Sequence, residues 1–123
     1  MRQINGELPK LKGISYGTLK NGLLSSSIIP IYFNGQIETG EFDEQAKLTF
    51  ENMKHIIENA GGELTDIAQV VVYLKDIKDK EKMNNIWNEY FPDYFPNRAT
   101  FEVSNFAIEG IAIELVLTAI IHK

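Results

Sequence analysis

A chain of 123 residues can close one core and bury about two thirds of the surface that its unfolded form exposes, so residues 1–123 are read as a single domain. Seventeen Asp and Glu against twelve Lys and Arg give a net charge of −5, and no stretch gathers Lys and Arg into a stripe that could track phosphates, which argues against nucleic acid as partner. Cysteine is absent, which excludes disulfides, thiolate metal sites and a cysteine nucleophile; the opening residues lack the apolar run of a signal peptide or membrane span, and a cytoplasmic protein without membrane contact is expected.

Along the chain, Tyr16 to Leu19 and Leu23 to Ser27 flank Lys20-Asn21-Gly22, and Asn-Gly supplies the positive backbone angles of a tight hairpin. From Asp43 to Ala60, Ala46, Phe50, Met53, Ile56, Ile57 and Ala60 recur at three- and four-residue spacing before Gly61-Gly62, predicting a helix with one buried stripe. Ile67 to Leu74 is rich in β-branched residues with apolar side chains in both parities, as in a strand covered on both faces. Asp79 is placed to cap a second helix running to about Phe91, ended by Pro92 and Pro96. Asn97 to Val103 alternates, with Arg98, Thr100 and Glu102 on one face and Ala99, Phe101 and Val103 on the other. Gly110 to Ile121 is a last strand whose one ionisable group is Glu114.

The order β-β-α-β-α-β-β predicts an α+β fold, a single mixed β-sheet with two helices packed on one face. Two helices leave the second face uncovered, yet the last strand is apolar on both sides. A further copy of the chain is the economical cover.

Glu114 is the most informative residue, because a carboxylate in an apolar strand is costly unless it finds a partner. The residues alone leave two readings open. In one, Arg98 and Glu114 form a buried structural ion pair. In the other, Arg98 offers its planar fork to a ligand carboxylate while Glu114 orients or deprotonates a water. Ser25-Ser26-Ser27 lacks the adjacent base that a serine nucleophile needs. His55 and His122 are read as solvated surface residues, Asp43, Glu44 and Glu51 as the solvated side of the first helix, and Trp87 with Tyr90 as core or interface. No metal-ligand spacing or glycine-rich phosphate loop stands out.

Phe95-Pro96-Asn97-Arg98-Ala99-Thr100-Phe101-Glu102-Val103 resembles the signature F-P-A-R-[ST]-x-[VF]-E-V of the Rid/YjgF (reactive intermediate/imine deaminase) family, and Gly110 to Ala119 resembles its closing G-x-x-[VI]-E-[IV]-x-x-x-A. Asn52-Met53-Lys54, Glu58-Asn59-Ala60-Gly61-Gly62 and Val70 to Asp76 resemble further family motifs in the same order. The resemblance implies a chorismate-mutase-like fold, a homotrimer with clefts between subunits, and hydrolysis of imines and enamines such as 2-aminoacrylate and 2-iminopropanoate to 2-oxo acids and ammonia without metal or organic cofactor. By position, Arg98 matches the clamp for the substrate carboxylate and Glu114 the residue that handles the attacking water. The backbone at Thr100 would contact the imine nitrogen, Ser26 and Asn84 match cleft-lining positions, and Tyr16 approximates an aromatic one.

The chain departs from the pattern at four places. Ser27 stands where the family keeps a cleft-lining glycine; the hairpin is short, which leaves Ser15 and Tyr16 in competition for the aromatic position; and Phe106-Ala107-Ile108 replaces L-P-K. One additional residue between Arg98 and Glu114 places an insertion in the Ser104 to Glu109 loop, without which Ile113 would take the position of Glu114. A non-catalytic module binding a small carboxylate metabolite in the Arg98 cleft is the alternative reading. A chorismate mutase would need more cationic groups than Arg2 and Arg98 offer, and nuclease or translation-inhibitor roles attributed to some relatives fit poorly with the acidic charge.

Overall fold

The computed structural model describes residues 1–122. Strands β1 (Arg2–Ile4), β2 (Gly17–Lys20) and β3 (Leu23–Ile28) precede helix α1 (Phe42–Asn59); β4 (Ile67–Leu74), helix α2 (Lys80–Tyr90), β5 (Asn97–Glu102) and β6 (Ile113–Ile120) follow. They form one six-stranded sheet in the order β1-β2-β3-β6-β4-β5. β4 and β5 run parallel, and the other neighbouring pairs are antiparallel. The crossovers β3-α1-β4 and β4-α2-β5 step the same way across the sheet. Because such crossovers are right-handed, both helices fall on the same face.

That face holds the core. Leu24 and Ile28 of β3, Val70, Val72 and Leu74 of β4, and Ile113, Leu115, Leu117 and Ala119 of β6 are buried, opposite the expected α1 stripe of Ala46, Phe50, Met53, Ile56 and Ile57. Two buried polar side chains of α1 tie down loops. Gln45 donates to the Gly40 and Gly110 carbonyls and accepts from the Ala112 amide, and Asn52 donates to the carbonyls of Ile29 and Ile31. The asparagine of the Asn52-Met53-Lys54 motif therefore has a structural task, since loop carbonyls buried under a helix need donors.

The other face carries no helix. Glu114, Val116 and Thr118 are half-buried there, Phe101 is 53% exposed, Leu23 44% and Ile120 39%, and the rings of Tyr73 and Phe101 stack 6.2 Å apart.

Three expectations need correction. β1 was not anticipated within the polar opening segment: a three-residue edge strand is made by pairing with β2 and anchors through Ile4 alone, so it leaves no alternation to read. Asp79 stands at the start of α2 but makes no side-chain cap; Asp76 instead accepts from the Lys78 amide in the turn before it. His55 lies at the surface but is half-buried and engaged where a freely solvated residue was expected, because its Nε2 accepts the Glu7 amide at 2.8 Å and its ring lies 5.0 Å from that of Phe33. No helix among the described residues is long and apolar enough to cross a membrane.

The hairpin joining β2 and β3 forms as the Asn-Gly signal predicts, with φ of 51° at Asn21 and 83° at Gly22. A Cβ on Gly22 would also stand 3.0 Å from the Ile121 carbonyl oxygen. Gly22→Ala should therefore lower stability by at least about 1 kcal/mol in urea melts, the cost of a side chain at positive φ.

Candidate active site

Arg98 lies on β5 level with Val70 of β4, and so on the helix-covered face. It is half-buried at the edge of the sheet, its guanidinium 4.9 Å above the ring of Trp87 and Nη1 3.8 Å from the sulfur of Met83. A cation held over an indole face keeps its fork in one plane while its edges stay free to donate. Burial pulls Arg98 down from the ordinary arginine value, with no carboxylate contributing. It is nonetheless charged at neutral pH.

Thr100 shares this face two residues along. β5 is the last strand of the sheet, and the Val103 amide donates to Leu74 of β4. By alternation along a strand, the amide of Thr100 then points to the unpaired edge, available to a ligand. Asn84 follows Met83 on α2, and its Oδ1 is buried without a hydrogen-bond partner among the described residues. Arg98 and Thr100 thus share the β5 edge where α2 meets it through Met83 and Trp87, with Asn84 next to Met83 along the helix.

Glu114 lies on the opposite face, in register with Tyr73 of β4. The strand β4, three residues of register and the thickness of the sheet separate it from Arg98, so the buried Arg98–Glu114 ion pair does not form within the chain. Its carboxyl opens into a cavity of about 180 Å³ shared with Ser15, Tyr16 and Ser27. Leu11, Ile14, Ile29, Ala107 and Ile108 complete the walls. Burial pushes the Glu114 carboxyl above its ordinary value, and among the described residues no cation offsets it. Ile113 is fully buried under the helices, whereas Glu114 reaches the cavity.

The remaining predicted residues divide. Ser27 faces the open side and lines the cavity. Ser26 faces the helices, is buried, and donates its hydroxyl to the Tyr16 carbonyl at 2.6 Å; the same carbonyl accepts the Ser27 amide. Tyr16 lines the cavity, but its side chain is 3% exposed and its hydroxyl donates to the Pro9 carbonyl, so that hydroxyl is engaged by the chain itself. Ser15 is the more open of the two competitors for the aromatic position. Sequence reading missed the contact of Trp87 with Arg98 and the five apolar walls of the Glu114 cavity. The Phe106-Ala107-Ile108 departure was the available signal for two of those walls.

A one-sided α+β sheet with half of a candidate site on each face is thus the unit that the chain builds. Residues 15–121 match the family model described as Endoribonuclease L-PSP. The chain belongs to this family, the YjgF/Rid family. Among its relatives, a RutC family protein of Pyrococcus abyssi is 47% identical over 81 residues, 66% of this chain and 63% of that protein. The human 2-iminobutanoate/2-iminopropanoate deaminase is 36% identical over 91 residues, 69% of this chain and 66% of the human protein. The matches thus span somewhat less than two thirds of these relatives' lengths. The crystal structure of the YjgF gene product of E. coli superposes with a TM-score of 0.88 at 25% identity, covering 98% of both chains.

Proposed function

We propose that the chain hydrolyses imines and enamines of the 2-iminopropanoate and 2-aminoacrylate type to 2-oxo acids and ammonia, in clefts of a homotrimer. The observation that carries this reading is the pair of half-sites on opposite faces: an unpaired guanidinium at one sheet edge and an unpaired, desolvated carboxyl in a cavity on the other face. Either group is costly alone, and each gains a use if the Arg98 edge of one copy meets the Glu114 cavity of the next. The human relative's name supports the chemistry.

In this reading Arg98 pairs with the substrate carboxylate and the outward amide of Thr100 donates to the imine nitrogen, while the unpartnered Oδ1 of Asn84 is buried on α2 and would reach the water only if the cleft opens to it. Glu114 takes a proton from the water as its oxygen bonds to the imine carbon. Glu114 passes that proton to the nitrogen and then carries the proton of the new hydroxyl the same way, and the hydroxyl oxygen closes the carbonyl as the carbon–nitrogen bond breaks, so ammonia leaves and a 2-oxo acid remains. An imine is already electrophilic, so positioning and one proton carrier suffice.

Two experiments test the reading. The protein should accelerate 2-oxo acid release from 2-iminopropanoate generated in situ by an amino acid oxidase; a rate equal to spontaneous hydrolysis contradicts it. Light scattering should return about three times the 14.0 kDa chain mass. A stable monomer at micromolar concentration would remove the shared cleft.

A further inference from the structure

We infer that the cavity beside Glu114 receives the substrate's side chain and selects 2-imino acids bearing a larger aliphatic side chain, such as isobutyl, over the methyl of 2-iminopropanoate. The inference rests on the deaminase reading above.

Five of the residues around Glu114 are apolar: Leu11, Ile14, Ile29, Ala107 and Ile108. Ser15 and Ser27 are the small polar exceptions, and the hydroxyl of the one aromatic lining residue, Tyr16, is occupied by Pro9. A substrate carboxylate is unsuited to this space, because it would face Glu114 with no cation near, whereas Arg98 waits on the other face. The part of the substrate that enters should therefore be its apolar part.

Size then decides which apolar part fits. The cavity measures about 180 Å³. An apolar cavity of about 150 Å³ is large enough to hold benzene, so a methyl group would leave most of this one empty, or wet against aliphatic walls. Empty space forfeits dispersion contacts with every wall atom that lacks a neighbour. An isobutyl group leaves less of this space empty than a methyl does, and its branches are able to meet walls from more than one side. The Leu11–Ile14 and Ala107–Ile108 walls come from separate loops, before β2 and before β6, and the second holds the Phe106-Ala107-Ile108 segment by which this chain departs from its family's pattern.

Each methylene accommodated in an apolar pocket changes specificity by about 10- to 200-fold. The imine made from leucine should therefore be hydrolysed with kcat/KM at least about tenfold above the imine made from alanine, both generated in situ by the same oxidase. Ala107 is exposed on its loop, so Ala107→Leu should fold, and by filling the cavity it should bring the ratio down towards one or below. Calorimetric titration should show 4-methyl-2-oxopentanoate binding more tightly than pyruvate to the wild type, with the order lost in the variant. Equal or faster turnover of the alanine-derived imine would overturn the inference and leave the deaminase reading standing; so would an unchanged ratio in Ala107→Leu. Hydrolysis of neither imine would overturn the deaminase reading, and the inference with it.

Discussion

Arg98→Ala should abolish measurable pyruvate binding and imine hydrolysis while leaving the trimer folded. A guanidinium stacked on Trp87 at a partly desolvated edge presents two parallel donors to a carboxylate. Losing such a contact costs about 2 to 5 kcal/mol, a weakening of about thirtyfold to several thousandfold, part of it the ligand charge left unpaired. Arg98→Lys should recover only part, because an ammonium cannot pair in bidentate fashion. The effect on stability should be small, about 1 kcal/mol for the cation–π contact, since no carboxylate of the same chain is stranded by the change. An unaltered pyruvate affinity in folded Arg98→Ala would defeat the clamp assignment. A large drop in melting temperature would instead return Arg98 to a structural role.

Glu114→Gln should preserve shape and ligand binding but slow turnover by about 10² to 10⁴, the range for losing a positioned acid–base group. It should also stabilise the protein at neutral pH. Burial raises the Glu114 carboxyl above its ordinary value of 4.5, so the folded chain keeps this proton to higher pH than the unfolded chain does. Glu114 therefore lowers stability progressively as pH rises from the ordinary value through the raised one, and the deficit persists above it. Glutamine removes that slope. Melting temperatures of wild type and variant should converge below pH 4.5 and separate at neutral pH, with the variant higher. Wild-type turnover in Glu114→Gln would make the residue a structural one. A variant less stable than wild type at neutral pH would show that the carboxylate has a stabilising partner in the trimer.

Much of this architecture is legible in the residues because periodicity survives wherever one face is buried. The α1 stripe, the Asn21-Gly22 hairpin and the alternation of β5 all follow from local chemistry, and the structure reproduces them within a residue or two. β1 is invisible because three residues pair through backbone alone. The site was harder. Motif and spacing single out Arg98 and Glu114 but cannot show that they lie on opposite faces, which depends on β4 being inserted between β5 and β6. Nor can they show which way Ser26 and Ser27 point, since one step of strand register exchanges their faces. His55 looks solvated on a helical wheel because its partner, the Glu7 amide, comes from a segment without periodicity. Ser15 and Tyr16 could be told apart only by seeing the Tyr16 hydroxyl bound to Pro9.

The central claim is that one site is built from the Arg98 edge of one copy and the Glu114 cavity of another, and intersubunit complementation tests it most directly. Arg98→Ala and Glu114→Gln chains, each inactive as homotrimers, would be co-expressed with different tags and the mixed trimers isolated by tandem affinity. In every mixed trimer one interface of the three joins an intact Arg98 half to an intact Glu114 half, so imine hydrolysis should return to about a third of the wild-type rate. Mixed trimers that stay as inactive as either parent would contradict the account, because a site completed within one chain is broken in both variants.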